Sequence, residues 1–218
     1  LEDFAAEVDE PVERVHDALE AARATLYRAR ETRVHPLLDD KILTEWNGQM
    51  IAALAKAGFA LDEPRYVEAA EKAASFIDDA LTREDGELLR SFRDGRAQHD
   101  AVLEDYAFFI DGLIALFEST GRVRWLDLAL RHQARQDAAF WDDEAGGYFG
   151  TADDAEALIV RPKPEYDGAQ PSGNSVAALN LVRLATLTQR EDIARRAEAI
   201  LLAFGTSLNQ GAIENPKM

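Results

Sequence analysis

The sequence predicts an all-α fold of repeated helical hairpins arranged as an inner and an outer layer. Three observations carry that reading. Charge-poor apolar stretches alternate with charge-rich amphipathic ones, the pair recurs along the chain, and the connections alternate between short and long. Anchored on Tyr66, Trp125 and Ile193, the second members of the pairs recur at intervals of 59 and 68 residues. That spacing is a repeat of helical hairpins.

A leading amphipathic helix runs from about Pro11 to Thr32, with Val12, Val15, Leu19 and Leu26 on one face. It fills a first segment, residues 1–35, as an arm or as the outer helix of a preceding hairpin. The first full pair is Thr44 to Ala60, apolar almost throughout, and Pro64 to Leu81, which turns Glu68, Glu71, Lys72 and Asp79 outward. In the second pair Leu103, Tyr106, Ile110, Leu113, Ile114 and Phe117 form one helix face. A break at Thr120-Gly121 follows, then Arg122 to Phe140 with Trp125, Leu126 and Ala129 inward. Pro171 to Thr188 and Glu191 to Phe204 repeat the pattern. The three hairpins occupy 36–208, and 209–218 is a tail.

Charge-poor helices belong inside and charge-rich ones against water. The inner-to-outer turns near Leu61 to Glu63, Gly121 and Gln189 are short, whereas Thr82 to Ala101 and Trp141 to Gln170 are long and deliver the chain to the starts of inner helices. Long loops on a rigid scaffold are where sites are built. Strand-like residues at Glu87 to Phe92, with a turn at Asp94-Gly95, and at Gly147 to Thr151 with Leu158 to Arg161, predict small β-hairpins over that face.

The composition narrows the function classes. With 47% hydrophobic residues the chain can bury a sizeable core, but runs such as Met50 to Ala55 fall far short of the roughly 20 residues of a membrane-spanning helix. There is no cysteine, so no thiol chemistry. Acidic residues outnumber basic ones 41 to 24, and only five of the latter are lysines, a surface that repels nucleic acid and anionic lipid. Asp richness with Arg over Lys fits a cytoplasmic protein of a high-salt organism, beside the plainer reading of an acidic solvated surface. The first residue is Leu1, which reads as a fragment or a processed piece.

Three motifs, Leu38-Asp39-Asp40-Lys41-Ile42-Leu43-Thr44-Glu45-Trp46-Asn47-Gly48, Leu103-Glu104-Asp105-Tyr106-Ala107-Phe108 and Asp167-Gly168-Ala169-Gln170-Pro171-Ser172-Gly173-Asn174-Ser175, resemble the C-terminal region of the thioredoxin-domain proteins related to spermatogenesis-associated protein 20. The resemblance covers roughly residues 30 to 205. It implies a thioredoxin-like domain, absent here, and a six-hairpin (α/α) toroid similar to N-acylglucosamine 2-epimerases and toroidal glycosidases. Three hairpins make a partial toroid, whose apolar edge would pack against further hairpins or another copy.

The candidate residues gather at the starts of inner helices. Glu104 and Asp105 either cap a helix or supply one acid of a pair. Asp40, with Asp39, would supply the other if it lies about 5 to 10 Å away, a spacing suited to glycoside hydrolysis. Trp46 and Tyr106 are sugar-stacking candidates or core. Asn47, Ser172 and Asn174 offer hydrogen bonds, Ser172 equally as a plain N-cap. His99 is the imidazole best placed for proton transfer, and Arg161 would bind an acidic sugar. No metal or cofactor motif is present. The expected ligand is a sugar-like small molecule bordered by Trp46, Asp105 and Asn174. The competing reading is a non-catalytic module that binds protein or supports the thioredoxin-like domain.

The acidic excess generates a first prediction. Its self-repulsion is screened by salt, so the melting temperature rises between low and molar salt. A flat or falling response removes the high-salt interpretation.

Overall fold

The structure, a computed structural model, describes residues 1–155 and 159–205. The expected tail at 209–218 and Leu158 of the second expected hairpin lie outside the described residues. The chain divides into two units, Leu1–Asp40 and Lys41–Met218. In the first, α1 (Glu2–Glu7) is followed by α2 (Val12–Glu31), which buries Val15 and leaves Leu19 and Leu26 exposed.

The second unit holds three helical hairpins, α3–α4 (Thr44–Ala60, Pro64–Ala80), α5–α6 (Leu103–Thr120, Val123–Phe140) and α7–α8 (Gly173–Thr188, Glu191–Ala203). Each outer helix packs on the inner helix before it, and the inner α5 lies between α3 and α7. Twelve of the eighteen residues of α5 are buried, against three in α4 and three in α8, so α5 is the axis of the core. All three inner-to-outer turns reverse through one residue of left-handed backbone: Asp62 (φ 51°), Gly121 (φ 67°) and Gln189 (φ 56°).

Glycine sets the helix spacing. A Cβ at Gly48 would stand 2.6 Å from the carbonyl carbon of Phe108, and one at Gly112 would stand 2.9 Å from the Gly48 carbonyl oxygen. Here α3 and α5 touch backbone to backbone. Polar side chains then join the helices. Ser119 Oγ donates to the Ala55 carbonyl (3.0 Å), and Asn180 Nδ2 to the Ala107 carbonyl (2.8 Å). Asp111 of α5 meets Lys56 of α3 at 3.5 Å and also pairs with Arg183 of α7, whose Nη2 reaches Glu118 at 2.7 Å.

The first long connection contains the expected hairpin. Strands β2 (Leu89–Arg93) and β3 (Arg96–Asp100) are joined by Asp94-Gly95, both at positive φ, the two-residue turn that matches strand twist. A short strand the sequence reading missed, β1 (Ile42–Leu43), pairs antiparallel with β2 just ahead of α3. The second expected hairpin does not form as such. Among the described residues Gly147 to Thr151 makes only an isolated bridge, Trp141 with Tyr148, and Gly150 N–H donates to the Pro162 carbonyl at 2.9 Å. Asn174 explains why, because it occupies both backbone groups of Tyr148 that a ladder would need.

The close approach is testable through Gly48→Ala, which must push α3 off α5. The expected cost is on the order of 2 kcal/mol, read as a lower urea midpoint at unchanged slope. Wild-type stability would mean that the two helices part freely.

Candidate functional site

The N-termini of α3, α5 and α7 converge, and Asp105 is where they are tied. At the third position of α5 its Oδ2 accepts from Val102 N–H (3.0 Å), satisfying a donor the helix leaves free, while Oδ1 accepts from Glu45 N–H in the first turn of α3 (3.1 Å). Arg90, carried in on β2, donates to Asp105 Oδ2 at 3.0 Å and to Glu45 Oε2 at 3.4 Å. The other oxygen of Glu45 accepts from Gln170 Nε2 at 2.5 Å, at the end of the second long connection. On the α7 side Gly173 fits against Leu103 and the Glu104 carboxylate: a Cβ there would meet Leu103 Cγ at 2.8 Å and Glu104 Oε1 at 3.2 Å.

Two carboxylates, Glu45 and Asp105, therefore share the Arg90 guanidinium, and Glu104 lies close enough to feel the charges of Glu45 and Arg90. Burial pushes Asp105 up to about 6 although Val102 N–H, Arg90 and Glu45 N–H all favour its ionised form. Glu104, half-buried, is also raised, first by burial and further by the charge of Glu45.

Beside this cluster an open groove of about 460 Å³ is lined by Trp46, Gln49, Met50, Ala53, Ala169 and Gln170, within the roughly 300–1,000 Å³ of small-molecule sites. Trp46 is 62% exposed, and Gln49 Nε2 reaches Gln170 Oε1 at 3.5 Å. Gln170 thus belongs both to the groove and to the hydrogen-bonded cluster.

The remaining candidates lie elsewhere. Tyr106 is in the core, its hydroxyl accepting from Leu88 N–H at 3.0 Å. Asn174 is fully buried and saturated, bonded to Tyr148 N–H, Tyr148 O and Pro164 O. Asn47 donates back to the Leu43 carbonyl at 2.8 Å. Ser172 is the buried N-cap of α7, accepting from Ser175 N–H at 3.1 Å. Arg161 donates to the Thr151 carbonyl and stacks over Phe149. His99 is exposed on β3, outside the cluster. Asp39 and Asp40 are exposed at the end of the first unit, so within the second unit the carboxylate that shares a guanidinium with Asp105 is Glu45. His132, between Tyr106 and Phe109, is held neutral by burial, its pKa down to about 3.

Glu45, Arg90, Gln49 and Gln170 were not singled out by sequence reasoning. A signal existed for the first, since Glu45 is the single acid of an otherwise acid-free helix. Nothing local marked Arg90, whose partners lie 15 and 45 residues away.

Comparison with known proteins now bears on this arrangement. No family model matches the chain. The chain is similar to spermatogenesis-associated protein 20. It is 36% identical over 228 residues to the Homo sapiens protein, an alignment that takes in 100% of this chain and 29% of that protein. The chain thus spans under a third of the length of that relative. Among solved structures, cellobiose 2-epimerase from Bacillus thermoamylovorans superposes with a TM-score of 0.64 at 16% identity, over 78% of this chain and 46% of that one. An unsaturated glucuronyl hydrolase specific for heparin gives 0.62 at 16%, over 78% and 48%. At such identities the likeness is one of fold, and the fold is that of α/α-toroid proteins.

Arg90→Met should cost on the order of 2 kcal/mol, because it leaves two buried carboxylates facing each other without their cation. The sign with pH follows from Asp105. Its folded pKa of about 6 lies above the unfolded value, so the folded state holds the extra proton between about pH 4 and 6, and stability from this group falls as pH rises through that window. A protonated Asp105 needs Arg90 less, so the penalty measured by urea unfolding should be smaller at pH 5 than at pH 7. A larger penalty at pH 5 would contradict this arrangement.

Proposed function

We propose that the chain is the carbohydrate-recognising part of an (α/α) toroid, with a sugar-like ligand stacked on Trp46 and hydrogen-bonded by Gln49 and Gln170. The observation that carries this reading is a large exposed indole in a groove whose amide, Gln170, also holds a buried carboxylate of the cluster. Aromatic faces with polar rims suit sugar rings. Carbohydrate-processing enzymes among the fold neighbours support the same class.

In this reading the acid chemistry falls to Glu104 and Glu45. Glu104 is half-buried and held toward its protonated form, the state a proton donor to a leaving oxygen requires. Glu45, oriented by Arg90, is its partner as base or nucleophile once a ligand draws Gln170 off its Oε1. Asp105, with both oxygens engaged and no exposure, acts as a positioning residue for them. Epimerisation by paired histidines finds less support, because none of the side chains in the cluster is an imidazole. The protein is proposed to be cytoplasmic in a high-salt organism and to carry this toroid beside a thioredoxin-like domain.

The rival reading, a non-catalytic module, draws on one specific observation: Asp105 and Glu45 are already bound to Arg90 and Gln170. The two are separated by variants of the longer protein. Trp46→Ala removes an exposed side chain, so it should weaken sugar binding about tenfold at unchanged melting temperature, and Glu104→Gln should abolish hydrolysis while sparing binding. If a captured protein partner survives both variants, and glycan arrays and turnover assays stay negative, the scaffold reading replaces the enzymatic one.

A further inference from the structure

The fold leaves the charge of the sugar open, since its neighbours include both a cellobiose 2-epimerase and a heparin-specific glucuronyl hydrolase. The groove itself decides it. Among the described residues its polar lining consists of the Trp46 indole and the Gln49 and Gln170 amides, with no cationic side chain. Amides serve hydroxyl groups as donors and acceptors, whereas carboxylates and phosphates on a ligand call for Arg or Lys.

Nearby cations are already engaged. Arg90 is divided between Asp105 and Glu45. Lys56, one turn beyond Ala53 on α3, lies 3.5 Å from Asp111. Lys163 of the second long connection meets Asp142 at 2.5 Å and the Gly146 carbonyl at 2.6 Å, and Arg161 is committed to Thr151 and Phe149. Behind Gln170 stand Glu45 and Asp105 on the single Arg90 guanidinium, in a chain of net charge −17. The field at the groove is negative, and a second negative charge brought there is repelled.

We infer that the groove of Trp46, Gln49 and Gln170 takes an uncharged sugar residue and rejects uronates and sugar phosphates, an inference that rests on the carbohydrate reading above. Hydroxyl groups find the amides, a ring face finds Trp46, and an acidic substituent finds no partner. Discrimination of this kind comes from repulsion as much as from fit.

Trp46 is a built-in probe, because Trp125 is buried and Trp141 is covered by Tyr148 and Arg196. Its fluorescence should be titrated with glucose, mannose and cellobiose, and in parallel with glucuronate and glucose 6-phosphate at one ionic strength, with Trp46→Phe as the blank. The neutral sugars should bind on the order of tenfold more tightly than the acidic ones, with the gap narrowing in molar salt. Gln49→Arg should reverse the preference by giving an acid its partner. Uronate or phosphate binding equal to or tighter than the neutral sugars in the unaltered protein overturns this inference alone. Silence toward every sugar overturns the carbohydrate reading as well.

Discussion

The fold and the site both hang on the buried carboxylate of Asp105. Its two oxygens receive a backbone N–H of its own helix, a backbone N–H of the neighbouring inner helix and a guanidinium from the sheet. Gly48 and Gly112 let α3 and α5 come within backbone contact, but close packing alone allows one helix to slide along the other. The bond from Glu45 N–H to Asp105 fixes that slide and aligns the two helix starts. Both ends also benefit electrostatically, since helix N-termini carry partial positive charge and the carboxylate sits between two of them. Burial works against the arrangement and shows in the raised pKa of Asp105. An acid that is costly to ionise yet surrounded by donors is held by the structure around it.

Once the helix starts are aligned, the long connections have defined places to land. Asn174 in the first turn of α7 clamps Tyr148 through both backbone groups and also holds Pro164. Asp167 accepts from Ser172 N–H at 2.8 Å, and Gln170 then reaches across to Glu45. The groove beside Trp46 is therefore formed by a loop fixed at several points. Much of the polar chemistry at the helix starts is consumed in that fixing, which leaves the exposed indole and the remaining hydrogen-bonding capacity of the Gln49 and Gln170 amides to meet a ligand.

The fold was legible because its signals are local and periodic. The scarcity of charge in Thr44 to Ala60 and Leu103 to Phe117, set against the abundance of it in the helices that follow, reports burial directly, and Asp94-Gly95 reports its turn by backbone geometry. The site was legible only in outline. The reading pointed to the starts of the inner helices, where the structure gathers its buried polar side chains, but could not tell a buried side chain from an exposed one: Tyr106 and Asn174 went inside, while Trp46 stayed out. That choice depends on helix rotation about the core, which is a tertiary fact. Arg90 and Gln170 were invisible for a related reason, because their partners are distant in sequence and their own surroundings look like ordinary strand and loop.

Glu104 and Asp105 show how one helix start holds a structural carboxylate and, in the proposed function, a reactive one. Successive residues of an α-helix point about 100° apart, so neighbours in the first turn cannot share an environment. Asp105, with the shorter side chain, points back to its own N-cap and into the contact with α3. Glu104 turns toward Gly173 and stays half-exposed. The anchoring role needs short reach and complete burial, whereas a proton donor needs partial burial and access. Because the two demands fall on different residues, the chemistry at Glu104 can change without loosening the joint that Asp105 makes. A hairpin pair built on such a joint can therefore keep its architecture while the groove beside it is refitted to a different ligand.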